Sequence, residues 1–123
     1  MLSGLHSALS EHLVQLDAPL FQEGCVPQGK AFPYIVMSLD AQPTPDTPGV
    51  LSLTVWCAGN AAHPRRLAMA EDLLTLIPAR GIRLDTLQGC AVLFAGYTTA
   101  QCVGSGKCLG AQLTWKLHCF PAE

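Results

Sequence analysis

From Leu109 to Cys119 the chain alternates without a break. Leu109, Ala111, Leu113, Trp115, Leu117 and Cys119 fall on one parity, and Gln112, Thr114, Lys116 and His118 on the other. Successive side chains of a strand point to opposite faces, so this run describes one long strand with a buried face and a solvated one. Its apolar side needs a second layer. That commits the chain to a sheet covered by helices, an α+β architecture.

Two segments supply the helices. Leu2, Leu5, Leu9, Leu13 and Leu16 recur at spacings of three and four, one apolar stripe that Asp17 and Pro19 terminate. His6 and His12 flank that stripe and read as surface or boundary imidazoles. The second helix opens with Pro64 at its first position, carries Leu67, Ala70, Leu74 and Ile77 as its apolar stripe, and closes at Pro78 and Gly81. Arg65 and Arg66 stand in its first turn, where the positive end of the helix dipole disfavours them. Neither has an acidic residue three or four positions on, which leaves a solvated pair or a partner outside the helix.

The remaining strands follow from composition and punctuation. Phe32 to Leu39, FPYIVMSL, is rich in β-formers and lies between Gly29 and a proline-rich loop. Pro43, Pro45, Pro48 and Gly49 make that loop too long for a tight turn, so it is expected to project. Val50 to Cys57 alternates, with Leu51, Leu53, Val55 and Cys57 on one face and a mixed face ending in Trp56, a core or interface residue. Cys90 to Tyr97 is apolar, and the turn VGSGK, Val103 to Lys107, joins it to the final run as an antiparallel hairpin. The expected fold is one domain over residues 1–123: an antiparallel four-stranded sheet with two helices packed on one face, in the order αββαββ.

Half of the 123 residues are apolar and 13% are charged, against about 25% in an average domain. A chain this small must then expose weakly polar surface, which points to self-association. The net charge of −2, with no basic run, argues against a nucleic-acid footprint. The start of the chain has no basic segment and places Glu11 inside its apolar stretch, so it does not read as a secretory signal, and the charge-free run between Asp85 and Lys107, with four glycines, is a poor bilayer span. The six cysteines, Cys25, Cys57, Cys90, Cys102, Cys108 and Cys119, are therefore expected as thiols.

Catalytic and metal chemistry find little support. A zinc site would draw on Cys102, Cys108, His118 and Cys119, but adjacent His118 and Cys119 point to opposite faces of a strand, and no CxxC pair occurs. Cys57 and His63 are the one local thiol–imidazole pair, without a surrounding motif. Glu71 and Asp72 are helix neighbours that diverge. Gly104 to Lys107 lacks the spacing of a phosphate loop. The expectation is a protein with no catalytic residue, no cofactor and no metal. The rival reading is a small intracellular cysteine-dependent or metal-binding enzyme.

As a whole pattern, the N-terminal helix, FPYIV, the acidic proline-containing loop, the strand ending in Val55 and Trp56, the helix RRLAMAEDLLTLI and the final hairpin resemble a family of small phage proteins. These are the tail-completion proteins, tail terminators and head-to-tail joining proteins, of long-tailed bacteriophages and prophages. Pro33, Tyr34, Val55 and Trp56 carry the resemblance most specifically. It implies a structural, non-enzymatic protein that forms a ring, commonly a hexamer, on the end of the tail tube. The implied partners are further copies of itself, the tail tube protein and the head connector, with no sequence-specific nucleic acid and no membrane. Assembly would take place in the bacterial cytoplasm and leave the protein in the neck of the virion. The residues expected at the contact are Arg65, Arg66, Asp40, Asp46 and Trp56.

Overall fold

A computed structural model describes residues 4–16, 18–40, 47, 49–59, 62–78, 80–86, 89–94, 101–105 and 108–121. The strands are β1 (Leu20–Gln22), β2 (Tyr34–Asp40), β3 (Gly49–Ala58), β4 (Ile82–Thr86), β5 (Gly89–Phe94), β6 (Gln101–Ser105) and β7 (Cys108–Pro121). The helices are α1 (Leu5–His12) and α2 (Ala62–Leu76).

The long alternating run is β7, and it organises the sheet. β3 lies along one of its edges over ten residue pairs, from Gly49 opposite Leu117 to Ala58 opposite Cys108. The other edge is shared: β5 pairs with its C-terminal part and β6 with its N-terminal part. Together β5 and β6 make one interrupted strand of the expected hairpin. Phe94 faces Lys116 and Gln101 faces Gln112, so the interrupted strand spends three more residues between those pairs than β7 does. Ser105 pairs with Cys108, so β6 and β7 meet as an antiparallel hairpin on either side of the expected turn, whose residues 106–107 lie outside the described ones.

The α+β class and the presence of two helices stand as expected, but α1 ends at His12 and a single 3-10 turn, Val14–Leu16, takes the end of the leucine stripe that was expected to stay helical as far as Asp17, and the sheet is larger and mixed. The four expected strands form its antiparallel centre, β2-β3-β7-β5, within the order β1-β2-β3-β7-β5-β4, with β6 beside β7. β1 runs parallel to β2, so the sheet is not wholly antiparallel, and the element order is not αββαββ. The three residues of β1 are too few to show a period, and β4 hides between Gly81 and the apolar run. Gly81, with φ of +87°, takes a backbone conformation that other residues rarely adopt and turns the chain into β4.

One apolar cluster fills the space between sheet and helices. Ile35 and Met37 of β2, Leu51, Leu53, Val55 and Cys57 of β3, and Ala111, Leu113, Trp115 and Leu117 of β7 meet Leu5, Leu9 and Leu13 with Met69, Ala70, Leu73 and Ile77. α2 lies over β3 and β7, while α1 touches β1 and β4, the strands at the two ends of the order. In a flat sheet those strands would stand about 24 Å apart, twice the length of α1. The sheet therefore curls around α1. Two histidines hold the helix in place: His6 Nε2 lies 2.6 Å from the Leu20 carbonyl and His12 Nε2 lies 2.7 Å from the Leu76 carbonyl in the last turn of α2. Both rings are half-buried latches, where the sequence suggested boundary imidazoles.

α2 is rotated from its expected setting. Leu67 is 39% exposed, and the buried stripe is Arg66, Met69, Ala70, Leu73 and Ile77. Both stripes have helical spacing, so periodicity alone does not choose between them. Arg66 settles the matter: its stem is buried and its Nη1 donates to the Gly110 carbonyl of β7 at 3.2 Å.

Candidate assembly surface

The residues expected at a contact are distributed along the strands. Asp40 is the last residue of β2, where it pairs with Val50, and Val50 pairs in turn with Lys116. Trp56 stands six positions further along β3, between Tyr34 of β2 and Gly110 of β7. At about 3.3 Å per residue these two rows lie about 20 Å apart, at opposite ends of the sheet. Asp46 lies outside the described residues, as does most of the loop that was expected to project.

The two arginines have separate roles. Arg65 is exposed in the first turn of α2, at the Trp56 end. Arg66 is 7% exposed and tied to Gly110, which makes it a bond between α2 and β7 and removes it from the outer surface. A charged donor on a backbone carbonyl of the central strand fixes the position of the whole helix.

The face of the sheet turned away from both helices carries no described helix. Phe21, Tyr34, Val36, Val50 and Trp56 on this face are half-buried. Its middle is a polar band: Ser52 and Thr114, opposite each other, bond through their hydroxyls at 3.2 Å, and Ser38 donates to Glu23 at 2.8 Å. Arg83 and Asp85 form a 3.3 Å ion pair on the outer strand β4 with both side chains more than two-thirds exposed, a geometry worth little to stability.

Cys57 lies on the opposite face, fully buried, with its Sγ 4.0 Å from the Met69 sulfur. Burial pushes its thiol up, and the charges of Arg65 and Arg66 offset this only in part. A thiol held protonated and closed off from solvent is a poor nucleophile. The His63 side chain lies outside the described residues. The four zinc candidates are not brought together: Cys108 and Cys119 sit on β7 about 36 Å apart, at opposite ends of the strand, and Cys102 is at the Cys108 end while His118 is at the Cys119 end. Among the described residues no three His, Cys, Asp or Glu side chains cluster for a metal, and no helix is long and apolar enough to cross a membrane. Cys25 is an exposed thiol in the loop after β1.

No family model matches the chain, and no curated protein matches it. A solved structure whose own designation carries no functional meaning shares the fold, with a TM-score of 0.65 and 12% identity. The alignment covers 96% of each chain, so the likeness extends over helices and sheet alike. At that identity it speaks for the architecture alone.

The sequence missed the aromatic group beside Trp56. Phe32 stacks on Tyr34 with ring centroids 5.0 Å apart, and Phe21 meets Tyr34 edge-on at 6.1 Å. Phe21 belongs to β1, and only the parallel pairing of that short strand with β2 places it there. The FPY motif gave part of the signal; the third ring had none.

Proposed function

We propose that the protein is a structural component that works by assembling into a ring, the role of the phage tail-completion proteins its sequence resembles. One observation carries the reading: among the described residues no helix lies on the second face of the sheet, and Phe21, Tyr34, Val36, Val50 and Trp56 stand half-buried around buried Ser52 and Thr54 on it. A small domain gains by covering such surface, and a repeat of the same subunit supplies the cover at each position. The weakly charged composition agrees with this, since interfaces are depleted of charge at their centres. In a ring each copy meets its neighbours through two different patches. The acidic loop end at Asp40 and the first turn of α2 with Arg65, near the Trp56 end of the sheet, are such a pair.

Tail tube and head connector are the proposed further partners, one on each surface of the ring. Electron microscopy of the protein mixed with tail tubes tests the reading. Rings seated on tube ends are expected; a protein that leaves tube ends bare and tube growth unchanged contradicts it.

A further inference from the structure

Resting on that assembly reading, the contact between copies can be made specific. One end of the sheet face turned away from both helices is an aromatic socket. Phe32 and Tyr34 stack at an interplanar angle of 29°, Phe21 closes the group edge-on at 76°, and Phe32 remains 37% exposed. Lys30 Nζ stands 5.8 Å from the centre of the Phe21 ring. Trp56 is opposite Tyr34 in the register, and exposed Arg65 lies at the same end.

The other end leads into residues 41–48, AQPTPDTP, which follow Asp40 and contain Pro43, Pro45, Pro48 and Asp46. Proline holds φ near the polyproline value, and extended proline-rich segments dock against aromatic grooves at small entropic cost. The acidic pair Asp40 and Asp46 complements the cations Lys30 and Arg65. The segment falls short of its own socket. Tyr34 is six residues from Asp40 along β2, about 20 Å, while a segment anchored at Asp40 and Gly49 reaches about 16 Å at full extension. Its occupant must then come from another copy.

We propose that residues 41–48 of one copy dock on the Phe21, Phe32 and Tyr34 socket of the next, with Asp46 set against Lys30. The contact is heterologous, so it propagates from copy to copy until the ring closes.

Two complementary variants test this. In one, residues 41–48 are replaced by a Gly-Ser linker of equal length; in the other, Phe32→Ser and Tyr34→Ser remove the socket. Each alone is expected to stay monomeric, and an equimolar mixture is expected to sediment as a 1:1 dimer and no larger, because one socket and one segment remain between them. Since Tyr34→Ser can weaken the fold, Lys30→Glu supplies a milder arm. It is expected to weaken association about fivefold, with Asp46→Lys restoring it. A folded socket variant that assembles like the unaltered chain, or a charge exchange without rescue, overturns the docking mode and leaves ring assembly standing. An unaltered chain that stays monomeric at every concentration overturns the assembly reading, and the docking mode with it.

Discussion

Arg66 and Arg65 are neighbours with opposite fates, and the difference is measurable. Arg66→Ala removes a charged hydrogen bond to Gly110 and a buried stem, which is expected to cost about 2–3 kcal/mol in urea unfolding. Arg65→Ala, at an exposed position, should change stability by less than about 0.5 kcal/mol. Equal costs would mean that the helix is not held by Arg66. Cys57 predicts a pH dependence. Its folded-state pKa lies above the unfolded value, so above pH about 9 the unfolded chain releases a proton that the folded chain retains. Stability at this site is therefore complete below that pH and falls as pH rises through the folded value. Comparing Cys57→Ala with the unaltered chain cancels the other thiols, and the variant should lose less stability between pH 8 and pH 10. An identical loss in both proteins would contradict the burial of the thiol. Trp115 is fully buried, and its Nε1 has no hydrogen-bond partner among the described residues. Trp115→Phe should accordingly cost much less than Trp115→Ala, for which about 3–5 kcal/mol is expected.

At the scale of elements, α1 depends on its surroundings. Eight residues are too few for a stable isolated helix, so its persistence rests on Leu5, Leu9 and Leu13 in the core and on the two histidine latches. Leu9→Ala is expected to cost about 2–5 kcal/mol and to raise amide exchange in both β1 and β4, the strands that α1 joins. Exchange rising in α1 alone would refute the curled sheet. Much of this level was legible in the sequence. The alternation of β3 and β7 placed both strands and both of their faces, and Pro64 placed α2 to within two residues of its start at Ala62, because these signals are local. Most of what lay outside reach was set by partners distant in sequence. β1 exists by pairing with β2, fifteen positions on, and the rotation of α2 is set by a carbonyl 44 positions away, whereas β4 is the near partner of β5 and was hidden because only Ile82 and Leu84 mark its inner face. The socket was hidden for the same reason, since Phe21 joins Phe32 and Tyr34 only through strand pairing.

At the scale of the whole molecule, the described helices lie on one side of the sheet. Its strands run from a basic, aromatic end to an acidic, proline-rich one, a polarity suited to head-to-tail contact. Cys57 is buried, and the zinc candidates stand far apart along β7 and its neighbour. The sequence had already pointed to assembly through its low charge. Low charge density names no partner, however, and the pairing of ends needed the strand register. The most direct measurement is native mass spectrometry of the full chain over a range of concentrations. The account predicts one closed species of fixed copy number, six by the resemblance to tail-completion proteins, in equilibrium with monomer. A mass that remains that of the single chain throughout, or an open series of ever longer oligomers with no favoured size, would contradict it.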